Sequence, residues 1–305
     1  MREAKNQLTI IGTLKSKEVI NGVTAAGAET ITVNLTIISE TDGKIHENKV
    51  KLWAKETSKL AKGYHTVANE YKTTDKDGKE NADRIKITGS LEMNEYVSRD
   101  GELKTFNNLR GVFVERVTDP NVKDEVGAAV ECIVLGYIDE ISKTGTPTGR
   151  KRVSLYTVGY NSSVHEFQNV FVTAELAQQF ARLYQPNSTG RLFIKVHNYV
   201  EIEQNQQVPV VQPTLGFGTQ LDNMPGDNVI KNYVNELVII GGDMPATANR
   251  YTMEDITEMK KVRELATQEK MSVAPTPPAK ENTPSGFGSG FETPEAPISD
   301  GDMPF

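Results

Sequence analysis

Along the first 120 residues, short runs alternate apolar and polar side chains with period two or carry β-branched clusters. They are "LTIIGTL", "TITVNLTII" and "NKVKLWA", and each reads as a strand half-buried on one face. "KETSKLAKGY" then places Leu60 and Tyr64 one helical turn apart and predicts a helix of two or three turns. "RIKITGSLEMNEYV" and "KTFNNLRGVFVERV" flank "SRDGEL", where Asp100-Gly101 is a hairpin signal, so a long two-stranded arm is expected. The predicted order is three strands, a short helix and two more strands.

The same order recurs in the second half. "QLTIIGTLKSKEVING" has a counterpart in "AVECIVLGYIDEISKTG", with Gly12 set against Gly136 and Leu14 against Ile138. "KIHENKVKLWAKETSKLAKGY" lies beside "SVHEFQNVFVTAELAQQFARLY", which pairs Leu52 with Val172, Leu60 with Phe180 and Tyr64 with Tyr184. "DRIKITGSLEMNEY" then matches "GRLFIKVHNYVEIE", and "NNLRGVFVERVTD" matches "KNYVNELVIIGGD". Four weak matches in one order predict a duplicated domain. Five strands with a helix between the third and fourth is the order of the oligonucleotide-binding (OB) barrel. The expected fold is therefore all-β dominated: two tandem OB-folds over 1–120 and 121–245, a helix over 246–271, and a disordered Pro/Gly-rich segment with an acidic tip over 272–305. An unspecified β-barrel or sandwich is the competing architecture. The helix carries Thr252 and Asp255 at capping-box spacing, with Met253, Ile256, Met259 and Val262 along one side to pack on a barrel or another subunit. "VPVVQPTLGFGTQLDNMPGDN", between the last two strands, has the composition of a loop.

Composition changes this picture little, and charge changes it more. Of 305 residues, 37% are hydrophobic and 25% charged; no apolar run approaches the length of a membrane span, and a cytoplasmic protein is expected. Cys132 is the one cysteine and sits in the apolar run "CIVLG", which predicts a buried small side chain and no disulfide. Four scattered histidines offer no zinc set, and there is no phosphate loop, zincin motif or nucleophile elbow, so neither metal nor cofactor nor catalysis is expected. His46 and His165, each before a glutamate, read as turn or edge-strand residues. The net charge of -7 is uneven: about +1 over 1–120 and about -4 over each of 121–245 and the remainder. A polyanion responds to the field within a Debye length of about 8 Å, so a basic groove can exist inside an acidic total.

The octet "NKVKLWAK" carries the sharpest candidate chemistry. Val50, Leu52 and Ala54 share the face that must enter the barrel, so Lys49, Lys51, Trp53 and Lys55 point out. Single-stranded nucleic acid needs cations along its phosphates and aromatic plates for its bases, and this face supplies both. The competing reading has Trp53 as core and the lysines as an ordinary solvated face. The hairpin adds Tyr96 and Phe106 on opposite arms, with Arg99, Lys104 and Arg110 around them. In the second half Phe171 takes the place of Lys51 and Thr173 that of Trp53. Arg150, Lys151, Arg152, Tyr156, Tyr160, Lys195, His197 and Tyr199 supply the candidates there, and weaker binding is expected from this less basic domain.

The arrangement resembles the single-stranded DNA-binding proteins of bacteria and their phages. The likeness lies in "SLEMNEYVSRDGELKTFNNLRGVFVERV" and in the tip "ISDGDMPF", where Asp300, Asp302, Met303, Pro304 and Phe305 stand for the family's aspartate run, aliphatic residue and terminal Pro-Phe. The aspartates here are two, split by Gly301. The resemblance implies sequence-independent binding and protection of single-stranded DNA in replication, recombination and repair, with the tip recruiting partner proteins. Two domains per chain depart from the usual single domain and tetramer, which suggests a phage lineage, a host-cytoplasm location and a monomer or low-order homo-oligomer. A non-enzymatic scaffold of a phage replisome or virion is the alternative function.

Overall fold

The computed structural model describes residues 1–98, 100–142, 144–204 and 229–273. Its first half contains β1 (Asn6–Val23), β2 (Glu29–Thr41), β3 (Lys44–Lys55), α1 (Lys59–Glu70), α2 (Thr74–Asp77), β4 (Arg84–Val97) and β5 (Leu103–Arg116). The second contains β6 (Glu125–Ile141), β7 (Pro147–Val158), β8 (Val164–Val172), α3 (Ala174–Leu183), β9 (Thr189–Gln204) and β10 (Val229–Gly242), and α4 (Met253–Val273) follows. Arg99, the segment 205–228 and the tip from Asp300 to Phe305 lie outside the described residues.

Each half closes on itself. In the first, β1 pairs with β2 and β2 with β3; β3 meets β5 in parallel, β5 pairs with β4, and β4 returns to β1. The second repeats the cycle through β6, β7, β8, β10 and β9, with the parallel contact between β8 and β10. Both are five-stranded OB barrels. Helices plug the ends: Ser58 caps α1, whose Ala61, Tyr64 and Val67 are buried, and Phe180 at the end of α3 stacks on Tyr184 at 5.2 Å. Tyr64 and Tyr184 do equivalent work, as their alignment predicts, each buried with its hydroxyl donating to a backbone carbonyl, of Val112 and Asp243 respectively. Gly89 lies at a bulge where a Cβ would come within 1.8 Å of the Arg110 carbonyl oxygen, so only glycine lets β4 and β5 approach there.

The expected repeat register fails at its first block. Bulges fall between Leu14 and Ser16 in β1 and between Val134 and Gly136 in β6, which equates Leu14 with Val134. Both are fully buried, whereas Ile138, the expected partner of Leu14, is 63% exposed. Matching the two glycines displaced that alignment by four residues.

The barrels are joined at three places. β1 pairs antiparallel with β6, from Asn6 opposite Val130 to Ile11 opposite Glu125, making one ten-stranded sheet. The two long hairpins then brace each other's barrel. The underside of β4–β5 meets the second barrel through Asn107, whose amide donates to the Asn235 side chain at 3.3 Å. The β9–β10 arm meets the first at His46, which accepts at Nδ1 from the Asn198 backbone N–H at 3.2 Å and packs against the rings of His197 and Tyr199. His46 is thus a buried seam residue on β3, not the edge residue expected, and burial holds it, His165 and His197 all below the ordinary histidine range.

The third junction is α4. Thr252 caps it through Asp255, as the spacing predicts. The helix begins at Met253, past the expected start, and Met253 itself is exposed. Ile256 and Met259 pack with Ile133, Tyr156 and Tyr251 in a small second core. One turn on, Arg263, only 8% exposed, donates through Nε to Glu166 of β8 at 3.0 Å and through Nη1 to Glu95 of β4 at 2.8 Å. Lys270 also reaches Glu95, at 2.8 Å. One guanidinium therefore ties a carboxylate of each barrel.

Candidate nucleic-acid interface

β3 alternates without a break from His46 to Lys55 because one face fills the barrel and the other meets solvent. Val50, Leu52 and Ala54 are buried, and Lys49, Lys51, Trp53 and Lys55 are exposed. Trp53 keeps 38% of its surface open, so it rests against the barrel without entering it. On β2 its neighbours are small and polar: Thr32 stands opposite Trp53, Asn34 opposite Lys51 and Thr36 opposite Lys49. On the other side Arg110 of β5 stands opposite Lys51.

The hairpin extends this face. Lys104, Phe106 and Arg110 share one side of β5, and across β4 they meet Tyr96, Asn94 and Ser90 in turn. The Tyr96 and Phe106 rings lie 6.1 Å apart and both are exposed. Arg110 is paired with Glu92 at 3.3 Å. Lys51, Lys55 and Lys104 form no ion pair among the described residues. One continuous surface of the first barrel thus carries three aromatic rings, uncompensated lysines and small polar neighbours.

The second barrel differs. Three of its cations are engaged: Arg150 with Glu236 at 2.9 Å and Glu140 at 3.4 Å, Lys151 with Asp139 at 2.6 Å, and Lys195 with Asp42. Phe171, at the place of Lys51, is buried beneath the Arg150 guanidinium, 4.3 Å from its ring, with Arg152 also above it at 5.8 Å. Tyr156 is a correction as well. It is 7% exposed because both faces of β7 are covered, one by the barrel core and the other by α4. Tyr199 sits in the seam, its ring 5.3 Å from that of His46 and under Lys44. Of the aromatic candidates in this barrel, Tyr160, on the short 3-10 turn after β7, is the one freely exposed among the described residues. The sequence reading passed over two exposed rings, Phe113 and Tyr233. Phe113 turns outward because the bulge at Gly111 inverts the alternation after Arg110, and a glycine inside a strand was the available signal.

Among the described residues, no group of three or more His, Cys, Asp and Glu could hold a metal ion, and no helix is long and apolar enough to cross a membrane. Cys132 is buried, and burial pushes its thiol far up.

Two OB barrels sharing one sheet, the first bearing an exposed basic and aromatic face, define a tandem OB-fold protein. The model of the YorF family matches residues 5–272, and the chain belongs to that family. No curated protein matches it. Among solved structures it is similar to the wild-type single-stranded DNA binding protein from Thermus aquaticus, at 15% identity and a TM-score of 0.48, over 82% of this chain and 98% of that one. A deletion mutant of the Thermus aquaticus protein gives 15% and 0.46, over 83% and 100%. A small single-stranded DNA-binding protein from Streptomyces coelicolor gives 15% and 0.27, over 39% and 97%.

Proposed function

We propose that this protein binds single-stranded DNA without sequence specificity, through the outward face of its first barrel. The observation that carries the reading is Trp53, exposed on β3 between Lys51 and Lys55, with Arg110 of β5 opposite Lys51 and the exposed Tyr96–Phe106 pair further out on the adjoining hairpin. Unpaired bases stack on such rings regardless of identity, and lysines follow the phosphates as point charges. The face offers no fixed set of groups for reading base edges, which favours protection of single strands over recognition of a site. The second barrel, with Arg150, Lys151 and Lys195 already paired, contributes less affinity. On this reading the two units, 1–120 and 121–245, serve replication, recombination or repair in the cytoplasm, with no catalytic step, as a monomer or low-order homo-oligomer.

The test uses the only tryptophan in the chain as its own probe. Poly-dT is expected to quench Trp53 fluorescence, with an affinity that falls steeply as salt rises, and duplex DNA of equal length is expected to compete poorly. Unchanged fluorescence, or equal competition by duplex, would favour the scaffold reading.

The sequence of the tip supports a second role. The apolar Met303, Pro304 and Phe305 beside Asp300 and Asp302 suit an apolar pocket rimmed by basic residues on a partner protein. Removal of "DMPF" is expected to leave DNA affinity unchanged or slightly raised and to abolish capture of replication and repair proteins in pull-downs. Equal recovery by intact and truncated chains would dismiss that role.

A further inference from the structure

The outward face of β3 continues past Lys49 through Glu47 to Ile45, and at His46 the strand changes neighbour from β5 to β9. His46 stands opposite Tyr199, so Ile45 falls beside Val200 and Lys44 beside Glu201; the Lys44–Glu201 ion pair at 3.2 Å agrees with that register. Across the arm, Val200 stands opposite Tyr233 and Ile202 opposite Lys231. By two-residue alternation Ile45, Val200, Ile202, Tyr233 and Lys231 continue the surface that carries Trp53 and Lys51. Ile45, Val200, Ile202 and Tyr233 are all exposed, and Tyr233, at 74%, has neither a ring partner nor a hydrogen bond among the described residues.

We infer that a single strand leaving the Trp53 face crosses the seam between the barrels and stacks a base on Tyr233. Ile45, Val200 and Ile202 flank that base with apolar surface, and Lys231, two residues from Tyr233 on the same side, faces the phosphate. The pairing of ring and cation is the one already present around Trp53, on a surface continuous with it, and this continuity assigns the patch to DNA. The inference rests on the function proposed above. Trp53 and Ile45 are eight residues apart on one strand, roughly 26 Å, so the first barrel can hold a short oligonucleotide that never reaches Tyr233.

The experiment titrates the full chain with oligo-dT of about 4 nucleotides, at the lower end of the site size of one OB barrel and too short to span from Trp53 to Ile45, and of about 30, enough for two barrels. Tyr233→Ala is expected to weaken the longer oligonucleotide about tenfold, within the range for one stacked base, and to leave the shorter one unchanged. Tyr233→Phe is expected to bind both as the parent does. Equal affinity of the parent and Tyr233→Ala for the longer oligonucleotide would overturn the inference. Trp53→Ala keeps the two readings apart: if it weakens both oligonucleotides while Tyr233→Ala weakens neither, only the path across the seam fails, and if it affects neither, the DNA-binding reading itself fails. Sedimentation supplies the remaining outcome, since a parent that self-associates and a Tyr233→Ala variant that does not would make the patch a contact between copies of the chain and overturn the assignment.

Discussion

Arg263→Met is expected to lower the unfolding free energy by about 3–5 kcal/mol, the usual cost of removing one partner from a buried ion pair. The Glu95 side chain retains 5% exposure and that of Glu166 17%, so neither carboxylate can recover its hydration where it stands. Lys270 still reaches Glu95, which places the loss toward the lower end. Urea unfolding at neutral pH would measure it, and a midpoint and slope equal to the parent's would show that the clamp contributes nothing. Converting Glu95 to Gln as well is expected to restore part of the loss, because the stranded charge goes with it.

The same contact predicts how the parent responds to acid. Burial alone would raise Glu95, but hydrogen bonds from Arg263 and Lys270 together outweigh it and hold the carboxyl below its ordinary range. A depressed carboxylate contributes stability above its unfolded value of about 4.3 and loses it as pH falls through the folded value. His46, His165 and His197 act earlier. Held by burial or partial burial below about 6.5, they are neutral in the folded chain while the unfolded chain takes up protons, so stability declines from there downward. Acid should weaken the parent in two stages, and Arg263→Met should diminish the lower one without abolishing it, since Lys270 still holds Glu95 and Asp42, Glu131 and Asp255 are also held below their ordinary range.

Trp53→Ala is expected to weaken single-stranded DNA binding by about 1–3 kcal/mol, the worth of one stacked base, roughly 5- to 150-fold. Its stability should change little, because Val50, Leu52 and Ala54 fill the barrel from the opposite face of the strand. The salt dependence discriminates further. Trp53→Ala removes no phosphate contact and should keep the parent's slope, whereas Lys51→Ala should reduce it by about 1. A Trp53→Ala chain that unfolds would make the ring part of the core, and one that binds DNA as well as the parent would take it off the strand's path.

What the sequence revealed follows from how many faces of each strand are covered. β3 has one covered face, so its period-two pattern alone separates Lys51 and Trp53 from Val50 and Leu52. β7 has two, and the cover over Tyr156 is α4, about a hundred residues further along, which no local pattern can signal. The pairing of charges was equally hidden: Arg150 and Glu236 are 86 positions apart, so a basic run in the sequence became a neutralised patch in the fold. Arg263 was passed over because a charged residue on an amphipathic helix ordinarily faces solvent, and only the juxtaposition of two barrels surrounds it with acids. Tyr233 lies beyond the barrel proper, where alternation still sorts the two faces of the arm but does not say which is bare.

The clamp also sets an order for biosynthesis. Arg263 follows Glu95 by 168 positions, an interval of roughly 10–30 s at translation rates of ~5–20 residues per second. The first barrel draws all five strands and its plugging helix from residues before Glu125. It can therefore close while the ribosome is still making the second, with Glu95 and the underside of its hairpin bare to water. A nascent chain would thus present the Trp53 face well before its two barrels are locked together, and the fixed spacing between them would arise only when α4 emerges.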